Sequence, residues 1–466
     1  MPVSTINAPM TSATARYADS LRLSVAPMMD WTDRHCRVFH RVLAPGARLY
    51  TEMVHANAVI HGDRERLLGF DRSEQPLALQ LGGSDPALLA QAARIAAEWG
   101  YDEVNLNCGC PSDRVQAGRF GACLMREPVL VAECVAAMVD AVDIPVTVKC
   151  RLGVDEDNDY DVFASFVDRQ VAAGAAMVVV HARNAWLKGL SPKENREVPP
   201  LKYDWAYRLK QERPALPVVI NGGLASIEAV QAQAAHVDGV MLGRAAYHDP
   251  YLLHQLEALH TGAPLQARGD LLRAMRPYIE ARLGEGLALK HITRHILGLF
   301  HGQPGGRAFR QVLSEGAHRP GADWTLIEQA LSVTEFYAMM PATFSGSGFT
   351  WSAGCDGDKM LRPPLAPGKY RMRCPISLTD SWFVVEREAS EHDEPFDLNI
   401  HVSDLVYRGG DMKTITVPHG KVRFHCFCDT NSFFILWILQ DLDAKTLLYL
   451  PPDERSPLTD AVTVMA

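Results

Sequence analysis

The sequence lacks the signals that carry a protein out of the cytosol. Residues 1–20 have neither a basic start nor an apolar core, so we expect a disordered tail there and no export signal. The longest apolar run, Phe433–Leu439, has seven residues and is too short to span a bilayer. We therefore expect a cytoplasmic protein with no membrane partner, whose ten cysteines are thiols in a reducing compartment.

The sequence also lacks cysteines at the spacing that is typical of zinc sites. Cys426 and Cys428, together with Cys355 and Cys374, could hold zinc, but their spacing does not match that of known zinc sites. Core thiols explain these residues better, because free cysteine is among the most buried residue types. We expect no metal.

An excess of positive charge is absent too, since 46 Lys and Arg face 55 Asp and Glu and the formal charge is −9. Polyanion binding, however, depends on local potential more than on net charge. The charge is −5 over 1–255, +1 over 256–344 and −5 over 345–466. Within 290–320 the one acidic residue is Glu315, whereas the cations are Lys290, Arg294, Arg307, Arg310 and Arg319. This excess predicts a basic face that binds a polyanion, and a solvated helix surface is the alternative.

What the sequence does contain is a regular alternation of short apolar runs and amphipathic stretches over 23–244. The runs predict eight strands, at Leu23–Met28, Arg48–Met53, Leu77–Leu81, Glu103–Asn107, Val146–Cys150, Met177–His181, Val218–Asn221 and Gly239–Leu242. The stretches predict helices such as Pro86–Trp99, Val129–Ala141, Asp159–Ala173 and Ser226–Ala234. Eight β/α units of this size indicate an α/β protein with a TIM (β/α)8 barrel. A doubly wound sheet is less favoured, because no Gly-x-Gly-x-x-Gly follows the first strand.

The predicted strand ends carry polar and reactive side chains, and a TIM barrel places its active site there. Cys110 lies on a Gly/Pro turn just after the fourth strand, where a thiol can act as nucleophile, acid or metal ligand. Gln80 lies on the third strand, and Lys149 and His181 lie on the fifth and sixth. Each could be a packed structural residue by itself. A buried lysine and a buried histidine on adjacent strands, however, need an anionic partner.

Glycine-bearing turns after the seventh and eighth strands indicate what that anion is. Gly222, Gly223 and Gly243 would let backbone N–H groups approach a phosphate closely, and Arg244 adds a cation. Lys149 would then face the pyrimidine edge of a flavin and stabilise its reduced form. The sequence therefore predicts a phosphate-bearing flavin in the barrel.

Residues 251–344 are predicted to form a helical domain, with helices at Arg268–Arg282, Leu289–Leu299 and Trp324–Tyr337. A linker is expected over 345–349, and the composition then changes to short alternating runs rich in Trp, Phe, Val and Thr. This pattern predicts a separate β-rich domain over 350–466, a sandwich or a barrel, of unknown function.

Four segments resemble the FMN-dependent tRNA-dihydrouridine synthases. They are Val25–Arg34, Asn105–Ser112, Val148–Gly153 and His181–Glu197. The last is similar to the A subfamily, which acts on D-loop uridines 20 and 20a. The resemblance covers about 20–340 and implies an FMN-binding TIM barrel over 21–250, followed by a helical domain that grips tRNA over 251–344. A β-rich domain is not required by this family.

The resemblance also implies roles for individual residues. It places flavin contacts at Pro27, Met28, Met29, Gln80, Lys149, His181, Asn221, Gly222, Gly223, Gly243 and Arg244. It places tRNA contacts at Asn107, Lys193, Arg196, Arg307 and Arg310, of which the last two lie in the predicted basic face. The general acid of the family falls on Cys110, whereas Cys108 has no family role and is interpreted as structural.

The implied reaction is reduction of the C5–C6 double bond of uridine in tRNA, with hydride passing from FMN N5 to C6 and a proton from Cys110 to C5. A thiol suits this step, because free cysteine, with a pKa of about 8.5, is mostly protonated at neutral pH. NADPH is implied as the reductant of FMN. No stable protein partner is indicated, and the sequence does not decide between a monomer and a dimer. A flavin enzyme that reduces free pyrimidines and a non-catalytic RNA-binding descendant remain the alternatives.

Overall fold

The computed structural model describes residues 12–338, with side chains over 16–334 except at Arg114, and nine strand segments beyond 338. The chain divides into two compact units, 1–337 and 338–466. In the described part, no helix is long and apolar enough to cross a membrane.

The first unit is built on a parallel barrel. Its strands are β1 Leu23–Val25, β2 Leu49–Tyr50, β3 Val54–His55, β4 Leu77–Gly82, β5 Glu103–Cys108, β6 Val146–Cys150, β7 Val178–His181, β8 Val218–Asn221 and β9 Gly239–Leu242. Hydrogen-bonded neighbours follow the order β1-β9-β8-β7-β6-β5-β4-β2, and β3 also pairs with β4. The circle closes between β1 and β2, where Val25 N–H donates to the Arg48 carbonyl at 3.0 Å and Arg48 N–H donates to the Leu23 carbonyl at 2.9 Å. The TIM barrel predicted from the sequence is confirmed.

Helices surround the barrel and continue after it. They are α1 Ser12–Asp19, α2 Arg34–Leu43, α3 Ala56–His61, α4 Arg64–Leu68, α5 Pro86–Trp99, α6 Asp113–Ala117, α7 Pro128–Val139, α8 Tyr160–Ala172, α9 Tyr203–Glu212, α10 Ile227–Ala234, α11 Arg244–His248, α12 Tyr251–Thr261, α13 Arg268–Arg273, α14 Arg276–Gly284, α15 Lys290–Ile296, α16 Gly306–Gly316 and α17 Trp324–Ala338. Local signals fix their ends. The Asp85 side chain accepts from Leu88 N–H at the start of α5, and Gly100 ends that helix at φ +89°.

Alternation along the strands sorts side chains into two layers. On β7, Val178 and Val180 pack against the surrounding helices, whereas Val179 points into the barrel. The apolar part of the interior is formed by Ala26, Tyr50, Ala78, Met177, Val179, Val219 and Met241. The barrel is therefore a filled core, and its strands read as continuous apolar runs because both faces are covered.

Two predicted elements are interrupted for identifiable reasons. The predicted second strand is split into β2 and β3, because the backbone N–H of Gln80 bonds to the Thr51 hydroxyl at 3.1 Å and the ladder to β4 is broken there. The predicted helix Arg268–Arg282 is split into α13 and α14, because Pro277, in the first turn of α14, has no N–H to continue the helix.

The N-terminal segment differs from the predicted tail. Residues 12–19 form α1, whose Tyr17 hydroxyl donates to Glu103 Oε2 at 2.8 Å. The Arg48 guanidinium lies 3.9 Å from the centre of the Tyr17 ring and donates to the Tyr17 carbonyl at 2.6 Å. Residues 12–20 are thus held against the N-terminal ends of the strands, which we call the base of the barrel.

The second unit contains two antiparallel sheets. Their strands are β10 Asp358–Leu361, β11 Lys369–Arg373, β12 Trp382–Glu388, β13 Phe396–His401, β14 Met412–Val417, β15 Gly420–Cys428, β16 Ile435–Asp441, β17 Thr446–Leu450 and β18 Thr463–Met465. The first four pair in sequence order in one sheet, and the other five do so in a second sheet. The cysteines considered for zinc lie outside the described side chains, and the choice between sandwich and barrel stays a prediction.

Candidate active site

The C-terminal ends of neighbouring strands, which we call the mouth, bring the predicted residues together. In the sheet register Asn107 on β5 lies beside Lys149 on β6, and His181 on β7 lies beside Asn221 on β8. Gln80 on β4 lies beside Asn105, two residues before Asn107. Five predicted site residues therefore line one arc of the mouth.

The Lys149 ammonium group is held by the uncharged side-chain amide of Asn221. Its Nζ donates to Asn221 Oδ1 at 3.1 Å, and Asn221 Nδ2 in turn donates to the Met241 carbonyl at 2.7 Å. Burial, followed by the nearby Arg151 charge, lowers the pKa of Lys149 to about 8. Among the described residues, the hydrogen-bond partner of this buried ammonium group is thus an amide oxygen and not a carboxylate.

His181 is a neutral ring packed against the glycine turn. It is 8% exposed, and burial, with Arg151 and Lys149 nearby, holds its pKa well below the usual range. Gly222 has φ +113° and Gly223 has φ +70°, and a Cβ at Gly222 would lie 2.7 Å from His181 Cδ2. Any other residue at Gly222 would be strained and would collide with the imidazole.

The second glycine turn opens onto free space. A Cβ built at Gly243 would meet nothing within 4 Å, and the residue precedes the first turn of α11. Arg244 follows it and forms an ion pair with Glu197 on the loop after β7. Tyr203 donates its hydroxyl to the Gly222 carbonyl at 2.6 Å and so braces the other turn. The role of Tyr203 has no signal in the sequence, because it depends on contact between α9 and β8.

The Cys110 turn is fixed by Asn107. Asn107 Oδ1 accepts from the backbone N–H of Gly109 at 3.1 Å and of Cys110 at 3.0 Å. Cys110 is half-buried, and its Sγ lies 3.5 Å from Ser112 Oγ. Cys108, in contrast, is fully buried in the outer layer, where burial and then Cys150 raise its pKa well above the usual range. Of the two thiols, Cys110 is the one that lies on the loop at the mouth.

Arg151 joins two loops of the mouth, a role that the sequence analysis missed. Its Nε donates to the Gly109 carbonyl at 3.2 Å, and its Nη1 donates to the carbonyls of Asn184 at 3.3 Å and Asn195 at 2.9 Å. Burial lowers the pKa of Arg151 to about 9. The available signal was the i, i+2 spacing from Lys149, because Arg151 directly follows β6 and strand alternation directs both side chains to the same face.

The loop after β7 presents Lys193 and Arg196 to solvent around a buried asparagine. Asn195 is fully buried; its Nδ2 donates to the Trp186 carbonyl at 2.9 Å and its Oδ1 accepts from Trp186 N–H at 2.7 Å. Lys193 and Arg196 flank Asn195 and are exposed. The Arg151 bond to the Asn195 carbonyl therefore ties this pair of cations to the Cys110 turn.

The remaining predicted residues lie on two other segments. Pro27, Met28 and Met29 form the loop after β1, where Met28 N–H bonds to the Thr32 hydroxyl at 2.9 Å and Met29 is 55% exposed. Arg307, which is exposed, and Arg310, which is half-buried, lie on α16 in the helical region and do not belong to the strand-end group.

The segment just after β7 also carries two buried polar atoms that lack described partners. Arg183 Nε and Asn184 Oδ1 are buried and have no hydrogen-bond partner among the described residues. Among all the residues that the structure describes, no group of three or more His, Cys, Asp or Glu side chains could hold a metal ion. Lys149, whose hydrogen-bond partner is an amide oxygen, and the open turn at Gly243 are together suited to an anion such as a phosphate.

Comparison with known proteins gives consistent matches to one family. A family model described as dihydrouridine synthase (Dus) matches residues 24–335. A tRNA-dihydrouridine(20/20a) synthase of Xanthomonas campestris pv. campestris is 81% identical over 321 residues, which are 69% of this chain and 96% of that protein. Proteins of the same name from Xylella fastidiosa and Shewanella oneidensis are 71% and 56% identical, over 67% and 66% of this chain and 95% and 92% of theirs.

Among solved structures, a 2-naphthoyl-CoA reductase in complex with 2-naphthoyl-CoA aligns with a TM-score of 0.40 at 11% identity. The alignment covers 52% of this chain and 50% of that one, and it is too weak to bear on fold or function.

Proposed function

This chain belongs to the dihydrouridine synthase family, and from that premise we propose that it is an oxidoreductase that reduces D-loop uridines 20 and 20a of tRNA to 5,6-dihydrouridine. One observation carries the proposal. A thiol, an asparagine, a lysine and a neutral histidine converge at the mouth of one barrel, beside glycine turns that could hold a phosphate.

The residues at the mouth fit FMN. Gly222, Gly223 and Gly243 would hold its phosphate with Arg244, and Lys149 would supply the positive charge that an electron-rich ring edge needs. His181, Asn221 and Gln80 would contact the cofactor from neighbouring strands, and Pro27, Met28 and Met29 would do so from the loop after β1. When bound, FMN would supply the hydride that reduces the double bond at C6.

Cys110 supplies the proton in this proposal. It lies on a turn held by Asn107 and Arg151, so that its Sγ has a defined place at the mouth. The thiol gives its proton to C5 of the uracil ring as the double bond is reduced, and thereby acts as a general acid. Asn107 would contact the base beside it.

The tRNA would be bound by cations outside the pocket. Lys193 and Arg196 lie on the loop that Arg151 ties to the Cys110 turn, and Arg307 and Arg310 lie on α16. Phosphate contacts from these residues would position the RNA while the target base is extruded into the mouth. NADPH would reduce the cofactor between turnovers.

The test uses purified protein loaded with FMN, excess NADPH and an unmodified tRNA transcript. Mass mapping of the product should find dihydrouridine at position 20 or 20a, and a Cys110→Ala variant should produce far less in the same time. If the protein reduces free uracil or uridine but leaves the transcript unchanged, the proposed substrate is wrong. Mapping of tRNA from cells that lack the gene checks the same positions in vivo.

A further inference from the structure

A chain of buried side-chain hydrogen bonds crosses the barrel interior from the base to the mouth. Its members, from base to mouth, are Glu103, Thr147, Asn105, Gln80 and Asn107, and none is more than 8% exposed. Sequence motifs single out Gln80 and Asn107, but assign nothing to Thr147, Asn105 or Glu103. The proposed reaction uses none of these three either.

The links of this chain all run in one direction. Thr147 Oγ1 donates to Glu103 Oε1, and Asn105 Nδ2 donates to Thr147 Oγ1 at 2.8 Å. Gln80 Nε2 then donates to Asn105 Oδ1, and Asn107 Nδ2 donates to Gln80 Oε1, both at 2.8 Å. Every member between the ends gives one hydrogen bond toward the base and accepts one from the side of the mouth.

The base end fixes this direction through charge. The Glu103 carboxylate pairs with Arg48 at 3.0 Å and also accepts from the hydroxyls of Tyr17 at 2.8 Å and Tyr50 at 2.9 Å. An ionised carboxylate can only accept, so Thr147 must donate to it. The Thr147 oxygen is then left as an acceptor, which forces Asn105 to turn its Nδ2 toward the base.

The mouth end fixes the same direction independently. Asn107 Oδ1 accepts from the backbone N–H groups of Gly109 and Cys110, and such groups can only donate. Both lone pairs of that oxygen are therefore used by the Cys110 turn. Because the two ends demand the same polarity, one arrangement of the three amides satisfies every link.

We propose that Thr147 and Asn105 are positioning residues. They link Glu103 to Asn107 by hydrogen bonds that all point toward the base, and so fix the orientation of the Asn107 amide that holds the Cys110 turn in place. Fully satisfied buried networks restrict conformation, because an amide that rotates leaves a buried donor facing another donor. The chain thus adds a second anchor, from the base of the barrel, to a turn that is otherwise held by loops.

This arrangement limits what Asn107 can offer a substrate. Its oxygen is fully used and one Nδ2 hydrogen goes to Gln80, so a single N–H donor remains for the mouth. On the proposed function, which this step rests on, Asn107 therefore requires an acceptor such as a uracil carbonyl and disfavours an exocyclic amine.

The test measures the reactivity of Cys110 in the absence of FMN and tRNA. Iodoacetamide alkylation is followed by mass spectrometry of the Cys110 peptide, with Cys123, also half-buried, as the internal reference. Thr147→Val cuts the chain without changing side-chain shape, and should raise the Cys110 rate on the order of fivefold, because coupled residues interact by about 0.5–3 kcal/mol. Thr147→Ser keeps the hydroxyl and should remain within about twofold of the parent.

Tyr50→Phe is the matched control. It removes a hydrogen bond to the same Glu103 Oε1 atom but breaks no link toward Asn107. It should cost similar stability and leave Cys110 alkylation unchanged. Asn105→Ala cuts the chain one link nearer the mouth, and replaces Thr147→Val if that variant does not fold.

A double-mutant cycle separates positioning from general loosening. If Thr147 acts through Asn107, Thr147→Val should add nothing in an Asn107→Ala background. Additive effects, or equal alkylation in Thr147→Val and Tyr50→Phe, would overturn the proposal. Because neither cofactor nor substrate is present, a protein that shows the expected alkylation but makes no dihydrouridine would refute the proposed function and leave this inference standing.

Discussion

The base and the mouth of the barrel both bury cations, but the cations have different partners and their pKa values shift in opposite directions. At the base, burial by itself would lower the pKa of Arg48, yet the neighbouring Glu103 raises it above the usual value. At the mouth, burial lowers the pKa of Lys149 to about 8, and its hydrogen-bond partner is an amide oxygen. Paired charge at the base therefore stabilises the fold, whereas Lys149 at the mouth is available for the anion of the proposed function.

The largest expected effect concerns the mouth alone. Cys110→Ala should lower turnover by about 10²- to 10⁴-fold, the usual contribution of a positioned acid, and should leave FMN and tRNA binding intact. Single-turnover reduction of bound tRNA measures the step directly. Cys108→Ala is the matched control: it removes a thiol from the outer layer and should leave the chemical step nearly unchanged. Undiminished single-turnover reduction by Cys110→Ala would remove this thiol from the mechanism.

The next effect compares the two ends directly. Arg48→Met leaves the Glu103 carboxylate buried without its cation, so it should reduce the free energy of unfolding by about 3–5 kcal/mol. Lys149→Met removes a buried charge whose hydrogen-bond partner is an amide oxygen, so it should cost little stability or none. The same variant should retain FMN poorly and be reduced slowly by NADPH. Denaturant unfolding of the apo proteins measures the first contrast.

Equal destabilisation by Arg48→Met and Lys149→Met would contradict the distinction between base and mouth. A Lys149→Met protein that purifies fully yellow and reacts with NADPH at the normal rate would return Lys149 to a structural role.

A smaller effect should appear in the pH dependence of FMN binding. With a pKa of about 8 in the free protein, Lys149 is mostly protonated at pH 7 and mostly neutral at pH 9. If the charged form binds the anion, affinity falls as pH rises, by up to about tenfold between these values. Fluorescence titration of FMN checks this, and Lys149→Met should abolish the change. A pH profile that is the same in both proteins would assign the titration to another group.

The smallest effect concerns the helical region, outside the barrel. Neutralising Arg307 and Arg310 together should weaken tRNA binding and reduce its salt dependence by up to about two units of log–log slope, because each phosphate contact releases about one counterion. Flavin content should not change, because both residues lie on α16 and not at the mouth. Binding titrations across salt concentrations provide the measurement.

Deletion of 346–466 is the control for that variant. The segment carries a net charge of −5, which disfavours contact with phosphate, so the truncated protein should keep most of its activity on a transcript. Loss of tRNA binding on truncation, with normal binding by the double arginine variant, would reverse the assignment of the two regions.

Much of the barrel could be predicted from the sequence because its signals are local. Valine-rich runs such as Val178–His181 and capped helices such as Pro86–Trp99 can be recognised from a few neighbouring residues. Their observed bounds agree closely with the predicted ones. Breaks that depend on a contact with another strand were missed. One such break lies at Thr51, whose hydroxyl accepts the Gln80 N–H bond in place of a backbone carbonyl.

The candidate site divides in the same way. Cys110, Lys149, His181 and the glycine turns could be named from the sequence, because each residue type at a strand end already limits its chemistry. In contrast, the sequence did not predict that residues 12–19 form the helix α1, because this helix is held by a hydrogen bond from Tyr17 to Glu103, 86 positions along the chain. The bridging by Arg151 likewise depends on where two loops come together.

The sequence by itself thus determined the alternation of strands and helices, the position of the Cys110 thiol just after a strand and the glycines that the turns require, since these follow from periodicity and from backbone sterics. Only the tertiary structure decided which buried cations have an anionic partner and in which direction the amides of Asn105, Gln80 and Asn107 point. Hydrogen bonds between strands that lie 25 to 44 residues apart depend on the register in which the barrel closes. That register is a property of the whole sheet, and no local segment contains it.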